Sequence, residues 1–221
     1  RTPDINIHIG DAEIANSAVV RNLGAMMDQH LTMKAHVNKT CRLAMGAIRK
    51  IGQIRDHLDQ RTAQKLVHAF VTSRLDSCNA LLCGLPDSEI KKLQRVQNIA
   101  ARIVVKARSH DHITPLLSRL HWLPIHLRIQ FKILLLVYKA LNGAAPSYIS
   151  DIITEYVPAR NLRSSDLNLL QTPRANTKYY GERAFSTIAP TLWNALPLQL
   201  RNASSVNTFK NSLKTYLFSL M

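Results

Sequence analysis

Apolar and polar residues alternate over Ile5-Asn6-Ile7-His8-Ile9, which is the two-residue period of a strand. Gly10-Asp11 follows as a turn, and Ala18 to Gly24 supplies a second strand, so residues 1–30 predict a short β-hairpin. From Leu31 the period changes. Val37, Cys41, Ala44, Ile48, Ile51 and Ile54 fall on one arc at about 100° per residue, which predicts a helix from Leu31 to near Leu58. Gln60 to Leu82 predicts another, with Leu66, Ala69, Phe70, Leu75 and Leu81 as its core face. Gly84-Leu85-Pro86 stops it. Pro86-Asp87-Ser88-Glu89 opens a third helix, running to near Ala107, with acids in its first turn.

Beyond the break at His121-Trp122-Leu123-Pro124, the stretch from Ile125 to Leu141 is almost wholly apolar. It predicts a helix central to its region, with Leu134, Leu135 and Tyr138 buried. Asn142-Gly143 ends it. Pro146 opens a shorter helix to near Ile153. Residues 156–181 read as loop with two short strands. Glu182 to Ala195 reads as two helical pieces separated by Pro190, with Trp193 as a core anchor. Asn207 to Phe218 closes the chain as an amphipathic helix with Phe209, Leu213, Tyr216 and Leu217 inward. The expected class is mainly α, in three parts: a hairpin over 1–30, a helical domain over 31–108, and a second helical region with a few short strands over 109–221.

Charge changes this picture. The 221 residues carry a formal charge of +15, which favours a polyanionic partner. Residues 34–108 hold 15 Lys/Arg against 5 Asp/Glu, a net +10, so the nucleic-acid surface is expected there. On the helix from Pro86, Lys91, Arg95, Asn98, Arg102 and Lys106 share one face. Ile90, Leu93, Val96, Ala100, Ile103 and Val104 take the opposite arc. One side is core; the other is a basic rail of the kind that follows phosphates without reading sequence. The Leu31–Leu58 helix repeats the arrangement with Lys39, Arg42, Arg49 and Lys50 away from its apolar arc. Phe70 is the single aromatic between Lys34 and Arg108, so the grip is expected on backbone rather than on unstacked bases. The bland alternative is that both faces are merely solvated.

The candidate chemistry is sparse. Three cysteines, Cys41, Cys78 and Cys83, suit a reducing, intracellular compartment rather than a disulfide framework. His110-Asp111-His112 and His121 resemble a metal cluster, yet a zinc site needs three or four ligands with defined geometry. The structural reading is preferred: Asp111 capping a helix that begins near His112, and His121 packed at a corner. Asp76 is expected to pair with a neighbouring Arg. No nucleophile or phosphate-loop motif is present, and no adjacent Asp pair offers the converging carboxylates of a two-metal polymerase. No cofactor, metal or membrane partner is expected. The sequence starts at Arg1 and is expected to be a piece of a longer frame.

Several stretches resemble, in order, the C-terminal part of LINE-type (non-long-terminal-repeat) retrotransposon reverse transcriptases of the chicken-repeat and jockey-like kind. They are Asn22 to Asp28 with Leu31 and His36; Leu66-Val67-His68-Ala69-Phe70-Val71-Thr72-Ser73-Arg74-Leu75-Asp76 continuing to Leu82; and Gln94-Arg95-Val96-Gln97-Asn98-Ile99-Ala100-Ala101-Arg102. Then come Leu120-His121-Trp122-Leu123-Pro124 with Arg128, Tyr138-Lys139-Ala140-Leu141-Asn142-Gly143 with Ala145, Pro146 and Tyr148, Arg183-Ala184-Phe185, and Leu192-Trp193-Asn194-Ala195-Leu196-Pro197. No single piece is specific; the ordered set is.

The resemblance implies that residues 1–30 are the end of the palm, 31–108 a helical thumb, and 109–221 the region after it. It implies RNA or an RNA–DNA template–primer duplex as partner, together with the palm and fingers of the parent polymerase. The family's Tyr/Phe-Ala-Asp-Asp motif is not in this sequence, so catalysis by this chain is not expected. Ser77 stands where Tyr is usual and Ala25 where Val is usual, departures that bear on activity more than on fold. The expected function is therefore that of a catalytically inactive, nucleic-acid-holding region. The alternative is a host-retained helical protein-interaction module, marked by Lys91, Arg95, Arg102 and Lys106 being buried or paired with acids.

Overall fold

The computed structural model describes residues 7–14, 17–158, 167–177 and 179–221. Strand β1 (Ile7–Ile9) pairs antiparallel with β2 (Ala12–Ile14) across Gly10-Asp11, and β3 (Val19–Asn22) pairs with β4 (Ala25–Asp28) across Leu23-Gly24. The expected single hairpin is thus two. Each predicted strand turns back on its own neighbour, because Leu23 and Gly24 both take positive φ, 45° and 93°, which matches the twist of a tight hairpin. The start of the expected first strand, Ile5 and Asn6, lies outside the described residues. Ala25 is buried. The Asp28 carboxylate then accepts hydrogen bonds from the backbone N–H groups of His30, Thr32 and Met33 and from the Thr32 hydroxyl, fixing the chain where the helices begin.

Helix α1 (Lys34–Ile54) buries Val37, Ala44, Ile48 and Ile51, as its apolar arc predicts. Ile54 departs from the arc and is exposed, because the helix tightens into a turn at Arg55–His57 and Arg55 goes inward instead. The predicted helix from Gln60 to Leu82 is broken. Helix α2 (Gln60–Val67) is capped by the Asp59 carboxylate, which accepts from the Thr62 N–H. It widens into a π turn over His68–Thr72 and ends as α3 (Ser73–Asp76). Ala63, Val67, Val71 and Leu75 are buried, a spacing of four. Wide turns hold more than 3.6 residues, so a face projected at 100° per residue drifts off the core. Hence Leu75 alone of the five expected core residues is buried. Leu66 is half-buried, and Ala69, Phe70 and Leu81 are exposed.

Helix α4 (Asp87–Val105) follows its predicted pattern, with Leu93, Val96, Ala100 and Val104 buried and Ile90 and Ile103 packed at the margin. After α5 (Ile113–Arg119), helix α6 (Ile125–Leu141) is central as expected. Ile133, Leu134, Val137 and Tyr138 are buried on it, but Leu135 is only half-buried. The Tyr138 hydroxyl donates to the Ala203 carbonyl at 2.7 Å, and its ring stacks on Phe209 at 4.3 Å.

Short α7 (Ser147–Ser150) follows. In place of two strands across 156–181, an isolated bridge joins Glu155 to Leu170 among the described residues; 159–166 and 178 lie outside them. Helix α8 (Phe185–Asn194) carries Pro190 inside it rather than breaking there. Trp193 is buried and donates from its indole to the Asn168 carbonyl at 2.9 Å. Helices α9 (Leu198–Arg201) and α10 (Val206–Phe218) complete the chain, and Phe209, Leu213 and Leu217 point inward. One core cluster runs from Ala25 to Leu217, crossing residues 108–109. Gln97 on α4 donates to the Leu123 carbonyl just before α6.

Candidate nucleic-acid interface

The α4 rail is uneven. Lys91 and Arg95 are exposed, one turn apart, and have no hydrogen-bond or ion-pair partner among the described residues. Arg102 is half-buried, and its Nη2 donates to the Asp111 carbonyl at 3.1 Å. Lys106 leaves the helix with φ 54° and pairs with the Asp56 carboxylate at 2.9 Å. That hydrogen bond and charge hold the Asp56 pKa below its ordinary value. Of the four cations of the predicted rail, two are therefore open and two are engaged within the chain, and Asn98 accepts from Gln94 at 2.7 Å. Arg42, Arg49 and Lys50 on α1 are exposed, again without partners among the described residues.

Helices α1 and α4 pack side by side and run parallel. Near their beginnings, Lys92 Nζ reaches Asn38 Oδ1 at 3.4 Å. Near their ends, Arg55 Nε donates to the Ile103 carbonyl at 2.7 Å. Lys92 also pairs with Glu89 at 2.9 Å, so it belongs to this seam and not to the open face.

On the other side of α1, a groove of about 610 Å³ separates it from the Leu66–Arg74 segment. Its floor holds Leu43, Ala47, Ile54, Leu66 and Phe70, and Arg42, Lys50 and Arg74 stand around it. Phe70 is 49% exposed. Arg74 donates from Nη1 to the Phe70 carbonyl. Phe70 and Arg74 were not legible as site residues, since a regular helix would place Phe70 in the core. The signal was the four-residue spacing of Ala63, Val67, Val71 and Leu75, which points to a π turn, a feature often found at functional sites.

The remaining polar candidates divide. Among the described residues, no group of three His, Cys, Asp or Glu could hold a metal ion, and all three cysteines are free thiols. Asp111 does not cap α5. Its carboxylate accepts from the Arg108 N–H at 2.7 Å, holding the preceding turn. His121 is exposed rather than packed, because it occupies a left-handed corner with φ 55°; its ring meets Phe218 edge-on at 6.2 Å. Asp76 does pair with an arginine, but with Arg128 from α6 rather than a sequence neighbour; Arg128 Nε donates to Asp76 Oδ1 at 2.8 Å, with a second bond from Nη2.

No protein-family model, curated protein or solved structure matches the chain. No helix among the described residues is long and apolar enough to cross a membrane.

Proposed function

We propose that this chain is a nucleic-acid-holding region, the thumb and following part of a LINE-type retrotransposon reverse transcriptase, without polymerase activity of its own. The ordered resemblance and the net +10 over residues 34–108 support the reading. The observation that carries it is the α1 groove. There an exposed aromatic ring, Phe70, lies among Arg42, Lys50 and Arg74. Cations around a groove attract the phosphate backbone, and an aromatic face packs on bases or sugars without choosing sequence. This adds a stacking element that the sequence had argued against.

Fluorescence anisotropy with a labelled RNA–DNA duplex tests the reading. The wild-type chain binds, and in the same assay with a labelled single strand, whose base faces are free, Phe70→Ala weakens binding by about 1–3 kcal/mol with an unchanged melting temperature. Wild-type affinity no greater than that of an uncharged polymer control sinks the proposal.

A second reading, a helical protein-interaction module, is favoured by a specific observation: Arg102 and Lys106 are engaged within the chain and the groove floor is apolar. Under it, the groove residues matter for a protein ligand and the anisotropy assay stays flat for every duplex.

A further inference from the structure

A second cavity, of about 530 Å³, opens where α6 and α10 meet the turn at His68 and the corner at Trp122. Its size falls in the range of small-ligand sites, about 300–1,000 Å³. The wall is strongly cationic. Lys132 comes from α6, Lys210 and Lys214 come from successive turns of α10, and Arg128 lies beside them. The one acid on the wall, Asp76, is bound by Arg128 through both guanidinium contacts. Once that pair cancels, three lysines remain. Lys132 and Lys210 have no hydrogen-bond or ion-pair partner among the described residues, and Lys214 touches the Phe218 ring alone, at 5.8 Å.

Two further features mark this wall. Trp122 is 3% exposed and its indole N–H has no acceptor among the described residues; Asn79 is 4% exposed and its Oδ1 has no donor among them. Buried polar atoms without partners are few in folded proteins. The rest of the wall includes Leu123, Phe131 and Leu135, so cations and apolar surface face the same space. Convergent like charges repel; a ligand with concentrated negative charge removes that repulsion and gains charge-assisted hydrogen bonds.

We propose that this cavity is a phosphate-binding site, taking the phosphate group of a nucleotide or of a nucleic-acid strand against its lysines, with the attached organic part on the apolar wall. The site shares no residue with the α1 groove or with the open cations of α4, so it stands or falls independently of the function proposed above. His68 reports on it. Its ring meets Trp122 at 5.3 Å, and burial, Arg128 and Lys214 lower its pKa, against an opposing pull from Asp76. A bound phosphate screens those cations and raises the His68 pKa.

The test titrates the 221-residue chain with adenosine 5′-monophosphate, adenosine, and a short single strand with and without a 5′-phosphate. Calorimetry gives affinity, and the His68 imidazole and Trp122 indole resonances give location. Adenosine 5′-monophosphate is expected to bind, to shift the Trp122 resonance and to raise the His68 pKa, while adenosine does none of these. The exposed-lysine variant K132Q/K210Q/K214Q loses at least about tenfold in affinity, and R21Q/R119Q/R174Q, which removes equal charge outside both proposed sites, keeps it. Equal binding of the free nucleotide and the phosphorylated strand identifies a nucleotide site; a strong preference for the phosphorylated strand over both the free nucleotide and the unphosphorylated strand identifies a strand-end site. The proposal is overturned if adenosine binds as well as its monophosphate, if both triple variants lose affinity equally, or if no probe binds.

Discussion

Arg55 donates from Nη2 to the carbonyl of Val104 at 2.7 Å, across 49 residues of chain. The same guanidinium reaches the Ile103 carbonyl through Nε and the Leu58 carbonyl through Nη1, at 2.7 and 2.6 Å. A helix C-terminus leaves its last carbonyls without intrahelical donors. Here one buried arginine donates to the Val104 carbonyl and adds a second donor to that of Ile103, which also accepts from the Lys106 N–H at 3.4 Å, neutralises part of the end dipole, and locks α4 beside α1. The open cations of both helices are displayed from this locked pair.

Replacing Arg55 with Met keeps much of the volume and removes the donors, leaving the buried Val104 carbonyl and the part-buried Ile103 and Leu58 carbonyls each one donor short. The expected loss is about 2–4 kcal/mol in chemical denaturation. Arg55→Lys recovers only part of it, because an ammonium lacks the planar fork that meets three acceptors. A loss near zero for Arg55→Met removes this clamp from the account.

The core of α6 offers an internal comparison. Ile133→Ala deletes a fully buried side chain and is expected to cost about 2–5 kcal/mol. Leu135→Ala should cost clearly less, since Leu135 is half-buried and lines the α6–α10 cavity, where the surroundings already border open space. Equal losses in paired denaturation curves contradict this placement of the helix.

His36 is buried, and its Nδ1 accepts from the Met26 N–H at 3.3 Å. Burial, and then the charge of Lys39, lower its pKa from 6.5. The neutral ring is the native form, and the unfolded chain takes up a proton more readily. Stability is therefore complete above the unfolded value of 6.5 and falls as pH drops below it. His68 acts in the same direction. The denaturation midpoint is expected to fall between about pH 7.5 and about pH 5.5. His36→Gln retains an acceptor for Met26 and should flatten the slope. An identical slope in that variant assigns the pH dependence elsewhere.

Regular elements were legible, and so was the class of the fold. The arcs of α1 and α4 obey a 3.6-residue period, and burial follows them at Val37, Ala44, Leu93 and Val96; on the almost wholly apolar α6, Leu134 and Tyr138 are buried as expected and Leu135 is only half-buried. What escaped the sequence was local geometry that changes the period or the partner. The π turn at His68–Thr72 moved Phe70 from the expected core to the surface. The left-handed residues Lys106 and His121 ended or bent the chain and re-aimed their own side chains. Arg55, Arg128 and Arg183 find partners far along the sequence. Arg183 reaches the carbonyls of Cys83 and Leu31, and its side chain lies so close to Gly84 that a Cβ there would sit 2.5 Å from its Cγ. No local pattern announces such contacts. Of the expected interface, Arg42, Arg49, Lys50, Lys91 and Arg95 are placed at the surface, while Arg102 and Lys106 have their own intramolecular ties.

The salt dependence of duplex binding tests the central claim most directly. Each phosphate neutralised contributes about −0.7 to −0.9 to the slope of log affinity against log salt. R42Q/K50Q/K91Q/R95Q removes open cations from the α1 groove and α4, while R21Q/R119Q/K139Q/R174Q removes equal charge elsewhere. The account predicts that the first variant flattens the slope by several phosphate equivalents and weakens binding at every salt concentration, and that the second changes both only slightly. Equal losses of slope and affinity in the two variants contradict it, and leave diffuse net charge as the source of any attraction.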